Sequence, residues 1–278
     1  MQLDAPSAPG TVIAYRQVNG QRPPTTVPVA VAPADLARFA ADGYLVVPDV
    51  LGADLRARLG AALLALVEHE FVDGIPAAGG AYDGRYLRGL LDKDRAFHPL
   101  IDHPVTTPIV RAMLGPRVQI RSFTGRVTYP ATGHATRWHV DQPSWVDPAP
   151  PFFSYPHIIN VIYLLDDVTA ANGPLLVVPG SHRSPTPPPA EHGDLPGQVA
   201  LTAPAGSAIL IHGALWHRGG ANGPGGSLRR VLLVDHNPVW MKTGPFDGYA
   251  PAGGHLTRPL IERGDATLRD LLGEGGWY

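Results

Sequence analysis

From Val118 onward the chain breaks into short apolar runs separated by glycine and proline, and that punctuation limits the fold more than any other feature. Runs at 118–129, 138–141, 158–165, 175–178, 208–212 and 228–236 are of strand length and lie between turn signals. Several short strands in succession predict a sandwich or a closed barrel, with any helices packed outside.

The helices are expected earlier in the chain. Residues 33–42 open on Pro33, share a face through Leu36, Phe39 and Ala40, and stop at Gly43. A strand follows at 44–47. Residues 54–70 place Leu55, Leu59, Leu63 and Leu66 on one helical stripe. Helical or irregular structure continues to about residue 114, and 260–272 reads as a final helix. The expected organisation is one domain over 1–278: an extended arm at 1–32, a mostly helical part at 33–115, a β core at 116–240 and a C-terminal helix within 255–278. All-β domains of 278 residues are ordinary, so length gives no reason to divide the chain.

Composition removes several classes of chemistry. With no cysteine, the chain cannot form disulfides, thiolate zinc sites or iron–sulfur clusters, and it has no thiol nucleophile. Any metal must be held by histidine, carboxylate or carbonyl oxygen. A formal net charge of −2 gives no electrostatic basis for a nucleic-acid or anionic-membrane partner. The start, Met1-Gln2-Leu3-Asp4, lacks the basic and apolar regions of a signal peptide, and no apolar run is long enough for a bilayer. A cytoplasmic protein is expected, acting on a small molecule as a monomer or a homodimer.

The stretch Trp138-His139-Val140-Asp141 carries the chemistry. In extended chain, residues i and i+2 point to the same side, so His139 and Asp141 can reach one metal. Two imidazoles and one carboxylate form the three-ligand face of a non-haem iron, with open positions opposite. A later strand must supply the second histidine, and both His212 and His217 follow the apolar run from Ala208. A lone His-x-acid pair is weak: with 12 histidines and 24 acidic residues, roughly one match arises by chance. His192-Gly193-Asp194 is such a match, in a proline-rich segment read as solvated loop. A structural His–Asp pair is the competing explanation for His139 and Asp141.

Arg229 and Arg230 open the run Val231 to Val234, and alternation lets only one of them point inward. A planar guanidinium there would grip a dicarboxylate in two places, whereas a solvated pair of edge arginines is the plainer reading.

Four blocks, in order, carry a resemblance: FAADGYLVVPDVL at 39–51, WHVDQPSW at 138–145, YLLDDVTAANGPLLVVPGSHR at 163–183 and HGALWHRGGANGPGGSLRR at 212–230. Together they resemble the phytanoyl-CoA dioxygenase family of iron(II)/2-oxoglutarate-dependent oxygenases. The resemblance implies a double-stranded β-helix (jelly roll, cupin-like), mainly β with flanking helices. It implies Fe(II) on His139, Asp141 and His217, with 2-oxoglutarate held at its far carboxylate by Arg229 and with O₂ as the oxidant. Asn160, on a strand facing the cofactor, is a further candidate for cofactor binding. Trp145 and Phe153, in the aromatic, proline-rich loop 143–156, are candidates for substrate binding. Two departures stand out. Gly219 occupies the position two after the distal histidine, where the family often has serine, and the His-to-Arg spacing is one residue longer, which keeps Arg230 as an alternative to Arg229. An intact Asp141 implies hydroxylation or related oxidation, since related halogenases replace this carboxylate with a small residue. The rival class is a cupin-like isomerase or binding protein that uses the triad without 2-oxoglutarate.

Overall fold

The computed structural model describes residues 11–15, 25–29, 31–70, 85–131, 135–142, 157–189, 193–241 and 254–274. Within the expected N-terminal arm, β1 (Thr11–Tyr15) and β2 (Thr25–Val29) pair antiparallel, Thr11 opposite Val29. The helix α1 (Pro33–Asp42) begins on its proline and ends at Gly43, whose φ of 84° directs its N–H back to the Phe39 carbonyl. This left-handed cap is sterically open to glycine. Next come β3 (Tyr44–Val47), α2 (Ala53–Glu70), β4 (Arg85–Arg88), two 3-10 turns at 90–92 and 95–100, and α3 (Thr106–Leu114).

The β region contains β5 (Val118–Thr128), β6 (Ile159–Leu164), β7 (Leu175–Val177), β8 (Val199–Leu201), β9 (Ala208–His212), β10 (His217–Gly219) and β11 (Arg229–Pro238). A six-stranded antiparallel sheet has the order β3-β9-β6-β11-β5-β4, and a smaller one the order β10-β7-β8. The two sheets face each other as the layers of a jelly roll.

Alternation along each central strand divides the residues between two cores. Ile159, Val161 and Tyr163 of β6, with Leu232 and Val234 of β11, join the cluster beneath α2 and α3 that includes Leu59, Leu63 and Ile109. Ile162 and Leu164, with Ile209, Ile211 and Val231, turn the other way and meet Val177 and Leu201 of the smaller sheet. Both faces of β6 are therefore buried, which is why its sequence reads as an almost unbroken apolar run. Each fully buried side chain of this kind contributes about 1.5–3 kcal/mol of transfer free energy, so the central strands hold the site rigidly.

Three local expectations need correction. Residues 138–141 do not form a continuous strand: His139 makes an isolated bridge with His217. Its partner chain turns away at Gly213 to Leu215, so the next bond, Gln142 N–H to the Gly213 carbonyl at 2.7 Å, falls out of ladder register. The final helix is two helices, α4 (Arg258–Arg263) and α5 (Ala266–Leu271). Between them Gly264 is extended, and the Asp265 carboxylate caps α5 by accepting from the Leu268 N–H. In the mostly helical part, β4 adds an unexpected edge strand to the larger sheet.

Candidate metal centre and active site

His139 and His217 exchange both backbone hydrogen bonds of their bridge, at 3.0 and 3.1 Å, which brings their rings to a centroid separation of 4.2 Å. Asp141, two residues on, lies on the same side of the extended backbone. The ligand atoms of His139, Asp141 and His217 all lie within 4.8 Å of one another, and His217 Nε2 is 3.6 Å from Asp141 Oδ1.

Each imidazole is oriented by its own backbone. His139 Nδ1 bonds the Arg137 carbonyl at 2.7 Å, and His217 Nδ1 bonds the Leu215 carbonyl at 2.8 Å. A carbonyl can only accept, so both Nδ1 atoms carry the proton and both Nε2 lone pairs face the shared centre. Asn160 Nδ2 donates to Asp141 Oδ2 at 3.1 Å and fixes the carboxylate. Two neutral nitrogens and one carboxylate oxygen fit a ferrous ion bound on one face.

The electrostatics agree. Burial pushes His139 down to about 4, with the neighbouring His217 acting in the same direction. Burial alone would raise Asp141, but the charge of His217, with His139 and the Asn160 amide, outweighs it and holds the carboxyl well below its usual range. His217 is raised, because Asp141 overcomes the effect of burial. A divalent cation at the triad would take the place of any proton shared by His217 and Asp141.

A cavity of about 360 Å³ opens beside these three residues. Its walls are apolar along the two central strands, through Ile162, Leu164, Val231 and Leu233. Arg229 reaches the same cavity, 5% exposed, with Nη2 donating to Thr128 Oγ1 at 3.1 Å and a buried Nε that has no partner. Burial, and then the nearby charge of Arg126, push its pKa down to about 9. The guanidinium stays protonated at neutral pH, so it offers a buried positive charge to an anionic ligand. The turn at Gly173, with φ of 82°, packs onto it: a Cβ there would lie 2.5 Å from the Gly220 carbonyl oxygen and 3.0 Å from Arg229 Nη1.

The alternatives separate cleanly. Arg230 points to the opposite face and pairs with Asp166 through two bonds of 2.9 and 2.6 Å. His212 stands outside the triad, its ring 4.8 Å from His182 and 6.4 Å from Phe39. Asn160 lines the cavity and holds Asp141. Trp145 and Phe153 lie outside the described residues. Asp194 accepts from Arg218 at 2.7 Å, so the second His-x-Asp match contributes a surface ion pair.

Sequence reasoning missed Arg126, Thr136 and Asp235. At Gly219 a Cβ would sit 3.1 Å from Arg126 Nη1 and 3.6 Å from Thr136 Oγ1, so these groups border the space a serine side chain would take. Asp235 lines the cavity, and burial followed by the charge of Asp141 raises it to about 7. Its position six residues after Arg229 on one strand was a signal, since residues 229, 231, 233 and 235 share a face.

Comparison with known proteins agrees with this geometry. A profile of the phytanoyl-CoA dioxygenase (PhyH) family matches residues 39–231, more than half of the chain. The chain is 27% identical over 231 residues to L-proline trans-4-hydroxylase of Streptomyces griseoviridis, covering 73% of this chain and 85% of that protein. Among solved structures it is similar to HygX of Streptomyces hygroscopicus, crystallised with nickel, 2-oxoglutarate and hygromycin B (TM-score 0.62, 16% identity, 75% and 88% of the two chains). It is also similar to SnoK, a non-haem α-ketoglutarate-dependent carbocyclase from nogalamycin biosynthesis (TM-score 0.64, 21% identity, 81% and 95% of the two chains). At these identities the two structures establish a shared fold. The chain belongs to the phytanoyl-CoA dioxygenase family of iron(II)/2-oxoglutarate-dependent oxygenases.

Proposed function

We propose that this dioxygenase oxidises a C–H bond of a small organic molecule, by hydroxylation or a related oxidation within secondary metabolism, and acts in the cytoplasm as a single domain. The observation that carries the reading is the convergence of three ligand atoms within 4.8 Å beside a cavity that also holds a buried guanidinium. No described helix is long and apolar enough to cross a membrane.

Each residue has a defined task. His139, Asp141 and His217 would hold the iron through Nε2, a carboxylate oxygen and Nε2. Asn160 keeps the Asp141 carboxylate turned toward the ion through its 3.1 Å bond. Arg229, oriented by Thr128, would bind the far carboxylate of 2-oxoglutarate. With O₂, the bound iron and cosubstrate supply the oxidising chemistry, releasing succinate and CO₂. The chain's own part is to exclude water with Ile162, Leu164, Val231 and Leu233, and to hold the substrate in the same cavity as the triad. Trp145 and Phe153 are the candidates for contact with the substrate. A cupin-like isomerase that ignores 2-oxoglutarate would leave the buried Arg229 without a role.

The test is 2-oxoglutarate turnover to succinate with Fe(II) and O₂. His139→Ala and His217→Ala should each abolish it while circular dichroism shows the fold intact. Turnover that survives either substitution overturns the ligand assignment.

A further inference from the structure

One end of the cavity carries two buried acceptors with nothing to accept. Asn160 and Asp235 stand directly opposite each other in the β6–β11 pair, and both line the cavity. Opposite residues in an antiparallel pair have Cβ atoms about 5 Å apart, so their side chains are immediate neighbours. Each is anchored through its other polar atom. Asn160 Nδ2 is committed to Asp141, while Asp235 Oδ2 accepts from Ser122 Oγ at 2.7 Å and lies 3.6 Å from Arg121 Nη1. What is left is Asn160 Oδ1 and Asp235 Oδ1, both buried and both without a hydrogen-bond partner. Leaving a buried acceptor unmet is costly, and two on neighbouring residues that line a cavity describe a site for a ligand.

The ligand's chemistry follows from what the pair lacks. Two acceptors ask for two donors on one atom. A hydroxyl has a single hydrogen to donate, whereas a protonated primary or secondary amine has at least two. The cavity's carboxylates, among the described residues, are Asp141 and Asp235, with Arg121, Arg126 and Arg229 also in its wall. With Asp141 given to iron, Asp235 is the carboxyl left to meet a cation, and Arg121 Nη1 lies 3.6 Å from its Oδ2.

We infer that Asn160 Oδ1 and Asp235 Oδ1 together bind a protonated amine of the substrate, which makes this oxygenase specific for amine-bearing small molecules. The inference rests on the iron and 2-oxoglutarate reading and deepens it. Because Asn160 also holds Asp141, the amine is fixed next to an iron ligand, and the oxidised carbon is one within a few bonds of the nitrogen.

The experiment uses the full chain loaded with Ni(II), which is inert to O₂ here, and 2-oxoglutarate. Calorimetry then measures binding of L-proline, piperidine, L-lysine and glucosamine, each beside its N-acetyl counterpart. At least one free amine should bind about tenfold or more tighter than its N-acetyl form, since acetylation removes the charge and a donor. Asp235→Asn should erase that preference while the 2-oxoglutarate affinity stays unchanged. The wild-type comparison stands by itself should the variant fail to fold. Equal binding of amine and amide, no binding of any amine, or a preference that persists in Asp235→Asn overturns the inference. Wild-type protein that takes up Ni(II) but not 2-oxoglutarate overturns the reading beneath it, a distinct result.

Discussion

His217 Nε2 stands 3.6 Å from Asp141 Oδ1, although the two residues lie in different segments joined by one β-bridge. That approach has consequences for the protein without metal. Asp141 favours the charged form of His217, while burial keeps the neighbouring His139 neutral.

Metal should therefore stabilise the fold measurably. Adding Ni(II) or Fe(II) is expected to raise the melting temperature, because an ion that binds only the folded triad contributes about 2.7 kcal/mol at a hundredfold excess over its dissociation constant. A chelator should reverse the shift. In Asp141→Ala or His217→Ala the shift should vanish, and differential scanning fluorimetry with and without metal reads this directly. A full shift in either variant would mean the ion binds elsewhere.

The two adjacent arginines should behave oppositely. Arg229→Ala is expected to weaken 2-oxoglutarate by on the order of 10²-fold, the cost of losing a buried charge-assisted partner. Arg230→Ala removes a partly exposed pair with Asp166, worth about 0–1 kcal/mol of stability, and should leave 2-oxoglutarate affinity intact. Anaerobic titration of the metal-loaded variants separates them.

Gly173→Ala should damage the same subsite from a distance. Its positive φ and the 2.5 Å approach to the Gly220 carbonyl leave no room for a methyl group. A loss of about 1–3 kcal/mol is expected, with weakened 2-oxoglutarate binding because Arg229 Nη1 is the next atom displaced. Urea unfolding and the same titration measure both effects. A stable variant with normal affinity would show that the turn does not support Arg229.

Acid should unfold the protein partly through histidines remote from the metal. Burial pushes His236 down to about 4, and His212 to about 3 with help from His182. The unfolded chain binds these protons more readily, so their contribution is present above pH 6.5 and is lost between 6.5 and about 4. Asp235, raised to about 7, acts in the opposite sense over that window. His236→Phe should therefore flatten the fall in stability between pH 6.5 and 4, by up to about 1.4 kcal/mol per pH unit. An unchanged slope in urea midpoints against pH would contradict this.

The candidate ligands His139 and Asp141 were legible because they depend only on the two-residue period of extended chain, which survives even where no regular strand forms. Their partner was not legible from spacing, and only the resemblance named it. His212 ends β9 and His217 follows it, and the turn at Gly213 to Leu215 decides which ring swings back toward His139. Alternation likewise said that one of Arg229 and Arg230 faces inward, but the choice depends on how β11 sits between β5 and β6. Asp235 was within reach of the same argument, lying in phase with Arg229. Tyr86, which lines the cavity from β4, was beyond it: β4 has arginine at both ends and no apolar alternation, and it is extended because the β5 edge offers it hydrogen bonds. The break in the C-terminal helix was written in Gly264-Asp265, a stop followed by an N-cap.

The most direct test of the account is anaerobic addition of Fe(II) and 2-oxoglutarate to the metal-free protein, followed by visible absorption. The triad and Arg229 together predict a weak charge-transfer band that saturates with 2-oxoglutarate and is absent in His139→Ala. A wild-type protein that shows no band at saturating iron and cosubstrate would contradict the claim that this cavity assembles a ferrous 2-oxoglutarate centre.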